Sequence, residues 1–199
     1  MRIRWSFLIL ALLLFPLAGG RALAGNRPHS WEFGPYLVFT DFDPQTEIDN
    51  DEGLGFRFGY NFTPLHEFEA EFSALNTHDT VTGAIDVHQG EGMANYTFNF
   101  NFQRNQPVIP YFTTGFGFLR LEVDAPGVPG SDEVDPFFNI GGGVRFFIDK
   151  TFNIRLDFRS VFYEGDGEVL PNGLDFYNNE FSIGVGWVVG GASHPHHHP

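Results

Sequence analysis

Large apolar side chains recur at every second position through most of this chain. In Leu54-Gly55-Phe56-Arg57-Phe58-Gly59-Tyr60-Asn61-Phe62 they alternate with Gly, Arg and Asn. Ala94-Asn95-Tyr96-Thr97-Phe98-Asn99-Phe100-Asn101-Phe102 repeats the pattern with Asn and Thr between. Successive side chains of a strand point to opposite faces, so each stretch has one greasy face and one polar or minimal face. No helical stripe competes with this period, and the spacing predicts an all-β fold.

Eight segments of this kind can be read, at roughly 31–40, 53–62, 67–76, 91–102, 108–122, 136–148, 152–163 and 179–189. Most reach the about 9–11 residues that a tilted transmembrane strand needs. The first carries Trp31, Phe33, Leu37 and Phe39 on its apolar face, and the last carries Phe181, Ile183, Val185 and Trp187. The connections alternate in length. Those at Asp41–Glu52, Thr77–Gly90, Asp124–Asp135 and Glu164–Asn178 are long, while those around Thr63-Pro64-Leu65, Gln103–Gln106 and Asp149-Lys150-Thr151 are short. An eight-stranded antiparallel up-and-down transmembrane β-barrel does this, with short turns on the periplasmic side and long loops outside.

A soluble barrel would show the same alternation with its apolar face inside. The polar face separates the two. It holds nine Gly, among them Gly34, Gly115, Gly143 and Gly184, together with Arg57, Arg145, Arg155 and Arg159 and the acids Glu32, Glu67, Glu69, Glu71, Asp157 and Glu180. Glycine weakens an exposed strand, whereas a narrow lumen needs tiny residues to make room for a few long ones. Buried charges must pair. The expectation is a lumen charge network of Arg and carboxylate with a Phe-rich face turned to lipid.

Composition fits that placement. The chain has 25 Phe, yet its mean hydropathy is -0.14, as half-greasy strands require. Its aromatic share of 17% excludes disorder. The absence of Cys excludes disulfides and thiolate metal sites, and the net charge of -14 argues against nucleic acid as a partner. Residues 1–24 read as a secretory signal peptide: Met1-Arg2-Ile3-Arg4, an apolar run from Trp5 to Leu17, then Ala22-Leu23-Ala24 before cleavage at Gly25. The run is shorter than the roughly 20 residues of a helical span. The domains are then 1–24 signal peptide, 25–190 barrel and 191–199 His/Pro-rich tail. Removing Arg2, Arg4 and Arg21 takes the mature charge to -17.

Several stretches resemble the OmpA-like (porin-family) small outer-membrane β-barrel proteins of Gram-negative bacteria. They are Leu54–Pro64, Pro110–Gly117, Asn139–Phe147, Ile154–Arg159 and Phe181–Trp187. Their order and spacing carry the resemblance, which spans nearly all of 30–190. It implies an exported, signal-cleaved, eight-stranded monomer of the cell outer membrane. Outer-membrane lipid, lipopolysaccharide and the barrel-assembly machinery would be its partners, and it would have no cofactor or reaction. Chains of this class commonly finish on an aromatic residue that the assembly machinery reads. Here Gly190–Pro199 follow the last strand, so either the signal is internal, around Trp187, or assembly differs.

The four long loops hold 16 acids and no Lys or Arg. They are a solvated, self-repelling rim, or they bind a divalent cation through clustered oxygens. Asp49, Asp51 and Glu52 have the look of a calcium loop without its full spacing. His196, His197 and His198 in the tail are candidate ligands for Ni²⁺, Cu²⁺ or Zn²⁺; the alternative is a periplasmic end with incidental affinity. His66, His78 and His88 read as surface residues. Two alternatives to a structural or surface-interaction role remain. Barrels that deacylate lipid A pair a Ser with a His late in the fold; Phe158-Arg159-Ser160 and Pro171–Asp175 resemble that pattern, but no His stands near Ser160. A small-solute channel is the other, and it requires a lumen that side chains leave open.

Overall fold

The computed structural model describes residues 25–43, 51–78, 86–103, 106–124, 131–164 and 175–191. The signal-peptide stretch 1–24, Asp49, and the tail histidines His196, His197 and His198 lie outside the described residues. Eight strands follow one another: β1 (Ser30–Asp41), β2 (Asp51–Asn61), β3 (His66–His78), β4 (Asp86–Asn99), β5 (Val108–Asp124), β6 (Ser131–Phe147), β7 (Phe152–Glu164) and β8 (Asp175–Gly190). Each pairs antiparallel with the next, and β8 returns to β1 to close the barrel.

The register fixes the strand tilt. Ser30 faces Asn61, and the ladder continues through Glu67, Thr97, Thr113, Gly141, Arg159 and Glu180 to Thr40. One circuit therefore returns to β1 ten residues from its start. That stagger goes with a tilt of roughly 35–45° and an interior only wide enough for side chains.

Burial alternates along every strand, with the parity the spacing predicts. On β1 Glu32, Tyr36 and Val38 are buried while Trp31 and Leu37 are exposed. On β5 the outward residues from Val108 to Phe118 are apolar or Thr, and Arg120 follows. Ten residues of tilted strand give this band a height of about 25 Å, that of a lipid-facing girdle. Rings touch in a chain along its short-turn edge, mostly edge to face. Trp31 meets Phe58 and Tyr60, Tyr60 meets Phe62, Phe62 meets Phe68, and Phe68 meets Tyr96.

The strands run further outward than hydrophobicity alone indicates. β5 and β6 have 17 residues each, and β4 spans 86–99 where the sequence pattern points to 91–102. Above the lipid band a ladder needs only its backbone hydrogen bonds, so residues such as Asp86 and Glu133 extend it without apolar faces. The four long connections are correspondingly shorter. Glu133 and Asp135, which read as external-loop acids, turn inward and are buried in the mouth of the barrel.

The short turns are built locally. Between β6 and β7 the Asp149 carboxylate accepts the Thr151 and Phe152 amides at 2.6 and 2.8 Å. Those two bonds hold its pKa below the usual carboxylate value. The turn's contribution is therefore complete above the ordinary Asp pKa of about 3.9 and is lost as pH falls through the lowered one. NMR titration of the Asp149 carboxyl should give a midpoint below that of a model peptide, and Thr151→Pro should bring it back up by removing one donor.

At Gly34 the barrel wall approaches a neighbouring backbone. A Cβ there would stand 1.9 Å from the Val185 carbonyl oxygen. The β1–β8 pairing also skips Gly34 and Pro35, the latter lacking an N–H. Gly34→Ala should therefore strain the closing seam by about 1–3 kcal/mol, seen as a lower urea midpoint for the folded gel form.

Candidate functional site

The barrel interior gathers charge of both signs. Four arginines project into it, one from β2, one from β6 and two from β7, because Arg57, Arg145, Arg155 and Arg159 all fall on inward parity. β3 answers with three inward carboxyls in alternation, Glu67, Glu69 and Glu71, and β7 adds Asp157 between its two arginines.

The pairs cross the lumen. Arg145, fully buried, reaches Glu67 at 2.6 Å, Glu69 at 2.8 Å and Glu32 at 3.5 Å. Arg155 grips Glu69 with both terminal nitrogens and also meets Asp157 at 3.2 Å. Arg57 joins Glu71 at 2.8 Å, and Arg159 joins Glu71 at 3.0 Å and Asp157 at 3.3 Å. Two inward tyrosines brace the set. Arg57 lies over the Tyr36 ring at 4.7 Å and Arg155 over the Tyr111 ring at 4.3 Å, while the Tyr111 hydroxyl donates to Asp157. Planar guanidinium forks suit such multiple pairing, and desolvation makes each partner depend on the others.

The lumen-facing glycines make the space. Added Cβ atoms at Gly143 and Gly59 would stand 2.3 Å from the Tyr111 hydroxyl and from Glu67 Oε1. Small wall residues and long charged ones are complementary halves of one packing solution.

Two further layers lie along the axis. Toward the external end Leu75, Leu119, Leu121, Phe137, Val161 and Phe176 belong to one buried apolar cluster. Toward the short-turn end are Ile109, Phe147 and Val188. The lead-in to β1 also enters that end: Asn26 is buried and accepts from Arg145 at 3.3 Å. The charged layer is thus bounded by apolar side chains on the outside and by the N-terminal segment on the inside.

Of the residues singled out from sequence, the lumen network Glu32, Arg57, Glu69, Glu71, Arg145, Arg155, Asp157 and Arg159 assembles in one connected set. Glu180 is lumen-facing too, opposite Arg159 in the register, but stands above the linked pairs. Asp51 and Glu52 are consecutive on β2 and so face opposite sides of the sheet. His66 sits at the start of β3 with Nδ1 2.6 Å from the Tyr96 hydroxyl, and His88 lies outward on β4, 2.6 Å from Asn76 Oδ1. The His78 side chain lies outside the described residues. Ser160 faces lipid and donates to Asn179 at 2.8 Å. The described histidines stand on β3, on β4 and before β1, away from β7.

Sequence reasoning missed Glu91, the lumen tyrosines and the external apolar layer. Glu91 lies where β4 carries Gly90 and Gly92 outward in place of Phe, so no greasy alternation marked its face. Parity counted outward from Met93 to Asn99 would have found it.

The chain matches the family described as outer membrane protein beta-barrel domain over residues 7–188. No curated protein matches it. Among solved structures it resembles the N-terminal β-barrel domain of Pseudomonas aeruginosa OprF at 15% identity and a TM-score of 0.56, covering 82% of this chain and 100% of that one. Neisserial surface protein A gives 15% and 0.56, covering 79% and 95%. Ail, the attachment invasion locus protein of Yersinia pestis, gives 16% and 0.54, covering 82% and 100%. At these identities the likeness is one of fold. With a closed eight-stranded barrel, a lipid-height apolar band and a family match over nearly its whole length, the chain belongs to the outer-membrane β-barrel family.

Proposed function

We propose that this barrel is a non-catalytic, non-conducting scaffold, exported by a signal peptide cleaved before Gly25, that presents acidic loops at the surface of a Gram-negative cell. The observation that carries the reading is the filled lumen, where arginines from β2, β6 and β7 reach carboxylates on β3. Above them lies a cluster of buried apolar side chains that includes Leu75, Leu119, Leu121 and Phe137. A scaffold of this kind places specificity in its loops.

The sign of those loops narrows the partner. Residues 41–52, 77–90, 124–135 and 164–178, the external strand ends and loops, carry 16 acids without a Lys or Arg; with Asp43, Glu133 and Asp135 buried in the mouth, the remainder favour cationic surfaces or divalent ions bridging to lipopolysaccharide phosphates. Ail has been seen with a heparin analogue, sucrose octasulfate; loops of the present charge would repel such a polyanion. Two measurements test the proposal. Planar bilayers should show no steady conductance, and a large steady one would overturn the filled-lumen reading. Cells displaying the barrel should adhere to polycationic but not to heparin-coated surfaces, and the reverse preference would overturn the loop assignment.

A further inference from the structure

The lumen holds more acid than its arginines neutralise. Seven buried carboxyls face four arginines in the membrane-height section: Glu32, Glu67, Glu69, Glu71, Asp157, and then Glu91 and Glu180. Among the described residues the ion pairs of these arginines within 4 Å take only the first five. The remaining two are not scattered. Glu91 on β4 and Glu180 on β8 start from opposite walls, four strands apart either way round, and their carboxyls lie within hydrogen-bonding reach of each other. Glu91 stands opposite Leu119 of the external apolar cluster in the β4–β5 ladder.

Their surroundings are rich in oxygen. Ser73 Oγ is 3.2 Å from Glu91 Oε2, and the Gln89 amide nitrogen donates to Glu91 Oε1 at 2.7 Å. Two acceptors here have no hydrogen-bond partner although their side chains are more than nine-tenths buried: Glu180 Oε1 and Gln89 Oε1. A half-turn of the Gln89 amide brings its free oxygen to the carboxylates. Two carboxylates, an amide oxygen and a hydroxyl form the donor set that hard cations select. Two carboxyls that meet in a low-dielectric lumen need a shared proton or a metal ion between them.

We propose that Glu91 and Glu180, completed by Gln89 Oε1 and Ser73 Oγ, bind one hard divalent cation of the calcium or magnesium class across the lumen. Among the described residues no group of three His, Asp or Glu side chains is placed to hold a metal ion by itself. The site is accordingly a two-carboxylate bridge completed by neutral oxygens, not a carboxylate cage. It cross-links β4 to β8 on the barrel diameter, where no arginine does so. Gln89 stands between Leu75 and Leu121 of the apolar layer in the ladder, and the buried acids Asp43, Glu133 and Asp135 at the mouth draw cations toward it.

The test is calorimetric titration of the purified, folded barrel in detergent micelles with CaCl₂ and with MgCl₂, after dialysis against chelator. One saturable equivalent per barrel is expected. Glu91→Gln with Glu180→Gln should abolish it, whereas Asp49→Asn, Asp51→Asn and Glu52→Gln, before and at the start of β2, should leave it intact. Gel mobility before and after heating certifies that each variant is folded. Should the double variant fail to fold, Glu91→Gln alone should weaken binding at least tenfold. The proposal fails if no saturable equivalent appears, or if it survives in the Glu91 variants. It also fails if a protonated-carboxyl infrared band that vanishes in Glu180→Gln persists at saturating Ca²⁺. That last result would mean that the pair shares a proton instead.

Discussion

Replacing Arg145 with methionine should lower the unfolding free energy of the barrel by about 3–5 kcal/mol, the usual cost of stripping one partner from a buried ion pair. Arg145 is fully buried and touches Glu32, Glu67 and Glu69, and among the described residues only Glu69 of these three has an ion pair with a second arginine. Its loss leaves two carboxylates in the lumen without a cation. The cost is then mostly that of stranded charge, and the size of the deleted side chain matters less. Adding Glu32→Gln and Glu67→Gln to the same protein should therefore recover most of the stability, although it removes still more charge. Urea unfolding of barrels refolded into phospholipid vesicles, followed by Trp fluorescence, measures both variants. A triple variant less stable than the single one would show that the arginine acts through packing.

Phe112→Arg should cost about 2–4 kcal/mol, and Phe118→Arg about 0–1 kcal/mol, in the same vesicle assay. Both residues are outward on β5 and both are substantially exposed, at 41% and 65%. By exposure alone Phe118 and Phe112 would each welcome a charge. Depth in lipid separates them. Phe112 lies near the middle of the apolar band, whereas the next outward residue after Phe118 is Arg120, at the band's external edge. In water neither substitution should cost anything, so the difference between the two reads out lipid contact itself.

The fold was legible because its period is short and its environment unforgiving. A one-residue slip would expose Arg145 to lipid and bury Phe146, so residue spacing at Gly143-Val144-Arg145-Phe146 fixes the register without any long-range information. The lumen network was legible for the same reason, since Arg and Glu on inward parity have nowhere else to go. Alternation fails where strands leave the lipid band. Glu133 and Asp135 look like loop acids because nothing greasy stands beside them except Val134, yet the ladder continues and turns them inward. It also fails where both faces are apolar. Leu119 and Leu121 sit inward on a strand whose outward face is already Phe-rich, and a polar lumen gives no reason to expect them. The Glu91–Glu180 encounter joins strands at opposite walls of the barrel, and only closure reveals which residues meet across the diameter.

Membrane fractionation combined with gel mobility before and after heating tests the central claim most directly. The mature chain should partition with outer membranes, resist alkaline extraction, and migrate faster unheated than boiled, as a closed lipid-embedded barrel does. Recovery as a freely soluble periplasmic protein, with one mobility before and after heating, would contradict the account.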